Sequence, residues 1–525
     1  MITLRPVSLL LAAALAFSVP ARAAQLDIST ATIGDLQTAM AAGALTSEKL
    51  TELYLARIAA YDQKGPALNT VITLAPDALA QARALDAERK AGKLRGPLHG
   101  IPILAKDVFD TKDMPTTGGF LPMAASRPDK DSFVIARLRA AGAIILGKLN
   151  QSDWYGVAGQ GGSTLKGQVI SPYNPAKSPG GSSSGTGSAV AAWFAAIGLG
   201  SDTTGSIVIP STLANLVGFS TTHGLVSRTG MMWSSPSQEN GGPMGRSVYD
   251  CAVVLDAIAG YDAADLATQA GIGKIPSASY TTFVRADGLR GARIGVLREM
   301  VRSGPVHEEG RALFAKALED FKKAGATLVD PIDTGLDIAN SQTSADAPKY
   351  ERADAINAYL ARLPADAPIR TVAEMIAKGG DLVKPAIIEA SKLGALDHNP
   401  ELIAAMRHQT AMRNALTGLM QRYDLDAIIL PYRTALADPK PTGPNRNTGG
   451  RSESRNAIAS YTGLPTIVVP GGFFPSDGMP FAVQFLGAPF TEPKLITLAS
   501  GYEAATRHRK SPDSTPALPG ENIAY

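Results

Sequence analysis

The amino-acid sequence predicts an α/β fold, in which helices pack on the faces of a β-sheet. Short apolar or β-branched runs alternate with amphipathic helical segments along the chain, an order that is typical of α/β proteins. Of the 525 residues, 45% are hydrophobic and 18% are charged, which is the composition of a folded globular protein with a sizeable core. We therefore expect ordered structure through most of the chain.

The first 23 residues have the pattern of a secretory signal peptide. Arg5 precedes the apolar run Val7–Val19, and Ala21-Arg22-Ala23 provides a cleavage site of small residues before Ala24. The apolar run is too short to cross a bilayer, although an uncleaved N-terminal anchor is the alternative. The pattern predicts a periplasmic or secreted protein whose mature chain begins near Ala24 and has no membrane anchor.

Charge and cysteine content argue against several functional classes. The chain has 50 Lys and Arg residues and 47 Asp and Glu residues, so nothing indicates a nucleic-acid partner. Cys251 is the only cysteine, which rules out an internal disulfide. It lies in the apolar stretch Tyr249–Ile258, and we expect a buried small side chain rather than a nucleophile.

In the first half, local patterns predict the following elements in order. Thr32 and Thr46 occupy N-cap positions before helices. The predicted elements are the helices Ile33–Ala42 and Ser47–Asp62, the strand Leu68–Thr73, the helix Pro76–Lys90, the strand Ile101–Lys106, the helix Ser132–Ala141, the strand Ala143–Lys148, and the helices Gly187–Ile197 and Ser247–Gly260. Asn150–Pro175 has no period and predicts a long irregular passage that lines a site.

The second half restarts with a strand and continues the alternation. The predicted elements are the strand Ala292–Leu297, the helix Glu308–Lys323, the strand Ala326–Val329, the helix Glu401–Gln421, the strands Ala427–Leu430, Thr466–Val469 and Phe481–Phe485, and the helix Pro493–Arg507. The segment 337–398 is helix-prone without strand signals and predicts a helical insert. Pro439–Arg455 is polar and rich in turn residues.

Two serine-and-glycine clusters lie between Ser178 and Pro210, and both could present backbone N–H groups to a ligand. Such an arrangement suits a nucleophile with an oxyanion hole. Lys106 ends an apolar strand-like run that begins near His99, where burial would lower its pKa toward that of a base. By themselves these residues leave open a salt bridge of Lys106 with Asp107 or Asp202, and a capping or turn role for the serines.

Together the two segments resemble the amidase signature family of serine hydrolases. In that family a G-I-P-x-x-x-K-D segment supplies a lysine, and G-G-S-S followed by D-x-x-G-S supplies two serines. The resemblance implies that Lys106 is the base, Ser182 the bridging serine and Ser206 the nucleophile. It also implies an oxyanion hole formed by the N–H groups of Thr203, Thr204, Gly205 and Ser206, and a Gly181-Ser182 peptide that is often cis in the family.

The resemblance continues in Asp424–Pro431, Thr462–Gly471 and Met479–Gly487, and so covers residues 30–510. It implies one α/β/α domain around a large mixed sheet, spanning residues 24–525, with the signature core at about 95–235 and the helical insert at about 337–398. Thr204 and Val208 stand where the commoner family pattern has Gly and Arg. A larger residue before G-S, together with G-S-I-V, is similar to the branch that contains bacterial peptide amidases.

We therefore expect an exported amidase that cleaves a carboxamide C–N bond through an acyl-enzyme on Ser206, acting on a small amide or a peptide amide. No cofactor is implied, and the six histidines show no metal-ligand spacing. The signal peptide argues against a transfer-RNA amidotransferase subunit. One alternative is an α/β-hydrolase esterase, because Gly181–Gly185 fits G-x-S-x-G with Ser183 as nucleophile and His398, His408 or His508 as its histidine. Another is a non-catalytic binding protein on the same fold.

Overall fold

The computed structural model describes residues 25–155, 161–393, 396, 399–441 and 456–524. The predicted signal peptide, residues 1–23, lies outside the described residues, as does most of Pro439–Arg455. The predictions for these segments therefore stay predictions.

The strands are β1 (Gln25–Asp27), β2 (Val71–Leu74), β3 (Pro102–Lys106), β4 (Ile144–Leu149), β5 (Gly162–Ser163), β6 (Gly167–Gln168), β7 (Ile197–Asp202), β8 (Val217–Ser220), β9 (Asn240–Gly245), β10 (Arg293–Leu297), β11 (Thr327–Ile332), β12 (Ala427–Pro431), β13 (Thr466–Phe473), β14 (Pro480–Leu486) and β15 (Asn522–Ala524). The α-helices are α1 (Ile33–Ala41), α2 (Ser47–Tyr61), α3 (Ala78–Lys90), α4 (Phe133–Ala140), α5 (Ser184–Ala191), α6 (Val208–Leu213), α7 (Val248–Ile258), α8 (Glu308–Lys323), α9 (Ile338–Ser344), α10 (Pro348–Leu360), α11 (Val372–Gly379), α12 (Pro385–Ala390), α13 (Pro400–Arg422), α14 (Ile458–Thr462) and α15 (Glu492–Thr506).

Eleven of these strands form one mixed sheet, in the order β11-β10-β12-β14-β13-β8-β9-β7-β3-β4-β2. Strands β11, β10 and β12 are parallel to one another, and so are β7, β3 and β4. The strands between these two groups pair antiparallel, as does the edge strand β2. The predicted α/β fold with a large mixed sheet is confirmed.

Local capping signals located the first helices correctly. The hydroxyl of Thr32 accepts a hydrogen bond from the N–H of Asp35, and the hydroxyl of Thr46 accepts one from the N–H of Lys49. Each bond satisfies one of the N–H groups that a helix start leaves without an intrahelical partner. Between β11 and α13 the described residues contain helices and no sheet strand, as predicted for segment 337–398.

A buried helix lies between the two serine clusters, as predicted, but the predicted bounds Gly187–Ile197 are wrong. Helix α5 begins earlier, at Ser184, and ends at Ala191, while Ile197 opens the unpredicted strand β7. Glycine has no side chain to pack and is a poor strand former. The I-G-L-G-S-D sequence of β7 therefore shows no local strand pattern. Here a Cβ on Gly198 would lie 2.6 Å from the Thr186 side chain, and one on Gly200 would lie 2.7 Å from Met244. Close packing of α5 and β9 against β7 therefore selects these glycines.

The two ends of the described chain are tied together. Strands β1 and β15 pair antiparallel, a pairing that local patterns did not predict. Arg57 on α2 is fully buried, and its guanidinium donates to both carboxylate oxygens of Glu521 at 2.8 and 2.9 Å. It also donates to the carbonyls of Ala192 and Thr515. Its guanidinium carbon lies 3.8 Å from the centroid of the Trp193 ring.

We expect Glu521→Gln to lower the free energy of unfolding by about 3 kcal/mol, because it leaves the buried Arg57 charge without a counter-charge. Urea unfolding, followed by tryptophan fluorescence, measures this change. The matched control is Glu48→Gln, which removes the exposed ion pair of Glu48 with Arg83 and should change stability by less than about 0.5 kcal/mol. Equal effects of the two substitutions would contradict the prediction.

Candidate active site

Three chain segments bring polar side chains to the carboxyl ends of the neighbouring parallel strands β3 and β7. Lys106 is the last residue of β3, and Asp202 is the last residue of β7. Ser206 lies in the loop between β7 and α6, and Ser182 lies just before α5. Each of these side chains is at most 4% exposed. In open α/β sheets, this edge is where ligands commonly bind.

Lys106 lies within hydrogen-bonding distance of the predicted bridging serine. Its Nζ is 2.7 Å from Ser182 Oγ, 2.8 Å from Ser201 Oγ and 3.5 Å from the Ser201 carbonyl oxygen. The Gly181-Ser182 peptide is cis, as the resemblance implied. Sequence reasoning missed Ser201. Its position directly before Asp202 would have indicated it only if β7 had been recognised as a strand.

Burial lowers the pKa of Lys106 well below its ordinary value of 10.5, and the carboxyl groups of Glu239 and Asp202 oppose this shift. The sequence left open a salt bridge between Lys106 and Asp107. The structure instead pairs the Asp107 carboxylate with the buried Lys148, at 3.0 Å. The site therefore holds a desolvated amine between hydroxyl groups.

The Asp202 carboxylate organises the loop around Ser206. Its Oδ1 accepts hydrogen bonds from the Gly205 N–H at 2.6 Å and from Ser460 Oγ at 2.7 Å, and its Oδ2 accepts one from the Ile207 N–H at 3.0 Å. Gly205 has φ +103°, which an L residue rarely adopts, so glycine is required at this turn. Ser206 is thus held between two anchored backbone amides.

The predicted oxyanion hole needs one correction. The N–H of Gly205 is directed to Asp202 and is not available to a substrate, so its assignment as a donor is wrong. Within the described parts of the chain, the N–H groups of Thr203, Thr204 and Ser206 donate to no protein acceptor. The D-x-x-G-S motif identifies the loop, but the direction of each peptide plane depends on tertiary hydrogen bonds that a motif does not contain.

Two residues of the segment before β9 contact Thr203, and sequence reasoning missed both. Gln238 Nε2 donates to the Thr203 carbonyl at 2.8 Å, and Thr203 Oγ1 donates to Glu239 Oε2 at 2.5 Å. Glu239 is fully buried, and burial raises its pKa. Among the described residues, its Oε1 has no hydrogen-bond partner. No local pattern marks this stretch, because β9, like β7, is rich in glycine.

Thr204 and Val208, the two departures from the commoner family pattern, both fit their surroundings. Thr204 does not have a positive φ, so a β-branched residue is accommodated there. Val208 is 2% exposed and packs in an apolar cluster with Tyr432, Val468 and Ala482. An apolar side chain therefore fills the position at which the commoner pattern has an arginine.

The esterase alternative lacks its structural requirements. Ser183 is fully buried and its hydroxyl donates to the Ser201 carbonyl at 3.2 Å, and no strand directly precedes it. His408 lies exposed on α13, and the Nε2 of His508 lies 3.9 Å from a carboxylate oxygen of Asp320. His398 lies outside the described residues.

The described residues hold no group of three or more His, Cys, Asp or Glu side chains that could bind a metal ion. None of their helices combines the length and apolar character needed to span a bilayer. Cys251 is buried as predicted, and burial raises the pKa of its thiol.

Comparison with known proteins shows which family and which structures this chain is similar to. The family model described as Amidase matches residues 49–496. A probable amidase of Arabidopsis thaliana is 33% identical over 506 residues, which cover 93% of this chain and 92% of that protein. A glutamyl-tRNA(Gln) amidotransferase subunit of Chloroflexus aurantiacus is 33% identical over 504 residues, covering 92% of this chain and 98% of that protein. The structure of the peptide amidase from Stenotrophomonas maltophilia is similar with a TM-score of 0.80 and 37% identity, covering 92% of this chain and 99% of that one.

Proposed function

The chain belongs to the amidase signature family and is an amidase acting on carbon–nitrogen bonds, and we propose that it acts through an acyl-enzyme on Ser206, with Ser182 and Lys106 as the proton relay. The observation that carries the proposal is the 2.7 Å contact between Lys106 Nζ and Ser182 Oγ in a buried setting. A base has to accept a proton from a hydroxyl, and this contact provides the path.

The neighbours of Lys106 suit a neutral amine. A neutral amine has two hydrogens and one lone pair, whereas an ammonium group has three hydrogens and accepts nothing. The Ser201 hydroxyl and carbonyl oxygens provide two acceptors for the hydrogens. In this neutral state, Nζ can accept a hydrogen bond from the hydroxyl of Ser182. Burial favours the same neutral state, because it disfavours the charged form.

In the acylation step, Ser206 Oγ forms a bond to the substrate carbonyl carbon. Its proton moves to Ser182 Oγ, whose own proton moves to Lys106 Nζ. The N–H groups of Thr203, Thr204 and Ser206 stabilise the negative oxygen of the tetrahedral intermediate. The C–N bond then breaks as the proton on Lys106 returns through Ser182 to the leaving nitrogen, which departs as a neutral amine or ammonia.

Deacylation repeats the relay with water as the nucleophile. Water loses a proton through Ser182 to Lys106 as its oxygen bonds to the acyl carbon. The bond to Ser206 Oγ then breaks, and the proton returns to that oxygen. The carboxylic acid leaves and the side chains regain their starting protonation states. Every proton is conserved over the cycle without a metal or an organic cofactor.

We take the substrate to be a peptide amide or a related compound with a peptide-like C–N bond. The similarity to the Stenotrophomonas maltophilia peptide amidase supports this class. The G-S-I-V sequence from Gly205 to Val208 supports it too, because it resembles the peptide amidase branch. Val208, two residues after Ser206, packs in an apolar cluster, so this site has no arginine charge at the position where the commoner pattern has one.

We expect the purified protein to release ammonia from peptide amides and to react covalently with a fluorophosphonate probe. Ser206→Ala should abolish both, because it removes the attacking oxygen. Ser183→Ala is the matched control and should keep both, since that hydroxyl faces the Ser201 carbonyl. A panel of peptide amides, anilides, simple amides and esters measures the preference. Labelling that persists in Ser206→Ala and disappears in Ser183→Ala would overturn the assignment.

Activity should depend on pH through Lys106. Because the neutral amine is the base, kcat/KM should rise as pH passes upward through the lowered pKa of Lys106 and level off below 10.5. Lys106→Met should lower kcat by roughly 10²–10⁴-fold. Lys316→Met removes a lysine on the surface of α8, one that pairs with Asp320 outside the site, and should keep the midpoint of the profile. Full activity of Lys106→Met across about pH 6–9 would refute the mechanism.

We further propose that the protein is exported and loses residues 1–23, a proposal supported by the pattern of that segment. Expression of the full chain in a bacterial host should place a mature protein that begins at Ala24 in the periplasm, as mass spectrometry of the N-terminus would show. Ala23→Phe should block cleavage, because the peptidase requires a small residue there. Retention of a protein with an intact N-terminus in the cytoplasm would contradict the proposed export.

A further inference from the structure

We propose that Gln238 and Gln409 form a hydrogen-bond relay that orients the Thr204 N–H in the oxyanion hole, so that helix α13 positions a donor of the active site. Both residues are positioning residues and need not touch the substrate. The inference rests on the proposed function, because it assigns a role in stabilising the oxyanion on the substrate.

The relay runs from the helical region to the loop that carries Ser206. Gln409 lies on α13 and is 4% exposed. Its Nε2 donates to the Ala345 carbonyl at 3.0 Å and to Gln238 Oε1 at 2.7 Å. Gln238 is fully buried, and its Nε2 donates to the Thr203 carbonyl at 2.8 Å. Since a carbonyl only accepts, the carbonyls at the two ends determine which atom of each amide is nitrogen.

Peptide geometry turns this contact into control of a donor. The Thr203 carbonyl and the Thr204 N–H belong to the same planar peptide unit, and in a trans peptide the two groups point in opposite directions. The bond from Gln238 holds the carbonyl on one side of the loop. The Thr204 N–H is therefore directed to the other side, and within the described residues no protein group accepts from it.

The segment Ser235–Glu239 connects the helices α10 and α13 to the loop that carries Ser206, because it makes hydrogen bonds to both. On one side, the buried Glu351 carboxylate of α10 accepts from Ser237 Oγ at 2.8 Å and also from Ser235 Oγ. Gln409 of α13 holds Gln238 on the same side. On the other side, Gln238 and Glu239 contact the backbone and the side chain of Thr203. A shift of either helix would therefore move the Thr203 carbonyl, and with it the Thr204 N–H, through two or three hydrogen bonds.

Gln238 adds a long-range contact to the loop, whose other peptides are held by the nearby residue Asp202. Asp202 anchors the peptides at Gly205 and Ile207, while Gln238 anchors the peptide between Thr203 and Thr204. Without Gln238, the 203–204 peptide would keep no side-chain bond to hold its plane, and Thr204 would lose its orientation.

The test compares Gln238→Met and Gln409→Met with the wild type. Methionine keeps the length and volume of glutamine but removes its hydrogen bonds. Gln37→Met is the matched control, because Gln37 on α1 also donates to two carbonyls, those of Pro97 and His99, and these lie outside the loop. Thermal unfolding establishes that each variant is folded before its kinetics are measured.

The decisive readout is the affinity for two inhibitors built on the best peptide-amide substrate. A peptide aldehyde forms an adduct with Ser206 whose oxygen occupies the oxyanion hole, whereas the corresponding peptide alcohol forms no adduct. In Gln238→Met we expect kcat/KM and aldehyde affinity to fall together by about 10-fold, less than the loss of a donor outright. KM and alcohol affinity should stay within about 2-fold, because ground-state binding does not use the hole.

Gln409→Met keeps the Gln238 contact and should give a smaller loss of the same kind. The double variant should be no worse than Gln238→Met, because the two residues act in one chain. If Gln238→Met does not fold, the aldehyde-specific loss in Gln409→Met decides the matter. Unchanged aldehyde affinity in the folded variants, or equal losses of affinity for the aldehyde and the alcohol, would overturn the proposed role of Gln238 and Gln409. Activity that persists in Ser206→Ala would instead overturn the proposed function, and the role proposed for Gln238 and Gln409 with it.

Discussion

The site depends on one physical constraint, the burial of the Lys106 amine at the end of β3. In water this amine would be protonated and would act only as a hydrogen-bond donor. Surrounded by the hydroxyls of Ser182 and Ser201 and removed from solvent, it is driven toward the neutral state in which it can accept a proton. The rest of the local structure excludes water from that amine, pairs the neighbouring Asp107 with Lys148, and brings the Ser206 hydroxyl to the same edge of the sheet.

Pairing of the neighbouring charges is part of the same constraint. Asp107, the residue next to Lys106, is paired with Lys148, so its charge does not compensate the Lys106 amine. Asp202 uses its carboxylate on backbone N–H groups and on Ser460. Glu239 carries a carboxyl group whose own pKa is raised by burial. A fully charged neighbour in direct contact with Lys106 would hold it as an ammonium group and remove its use as a base.

Close backbone approach explains why the centre of the sheet consists of poor strand formers. Strands β7 and β9 contain glycines at positions where neighbouring atoms fill the space that a Cβ would need. Thr186 fills this space beside Gly198, and a Cβ on Gly242 would lie 2.1 Å from the Phe219 carbonyl oxygen. This packing lets α5, which follows Ser182, lie directly against the strand that leads to Ser206. The same two strands carry Ser201 and the segment of Gln238 and Glu239 to the loop. Small side chains thus allow three parts of the chain to meet in one buried volume.

Local sequence signals identified the capped helices α1 and α2, the apolar strand that ends in Lys106 and the α/β class, and the motif resemblance singled out Lys106, Ser182 and Ser206. These features depend on side-chain periodicity and on residues close in the chain. Contacts between distant parts of the chain were needed to establish that Ile197–Asp202 is a strand, that the Gly205 N–H donates to Asp202, and that Ser201, Gln238 and Glu239 join the site. Neighbours distant in sequence set the position of a glycine-rich strand and the direction of each peptide plane in a loop. Their contacts leave no periodic pattern in the sequence that could be used to predict them.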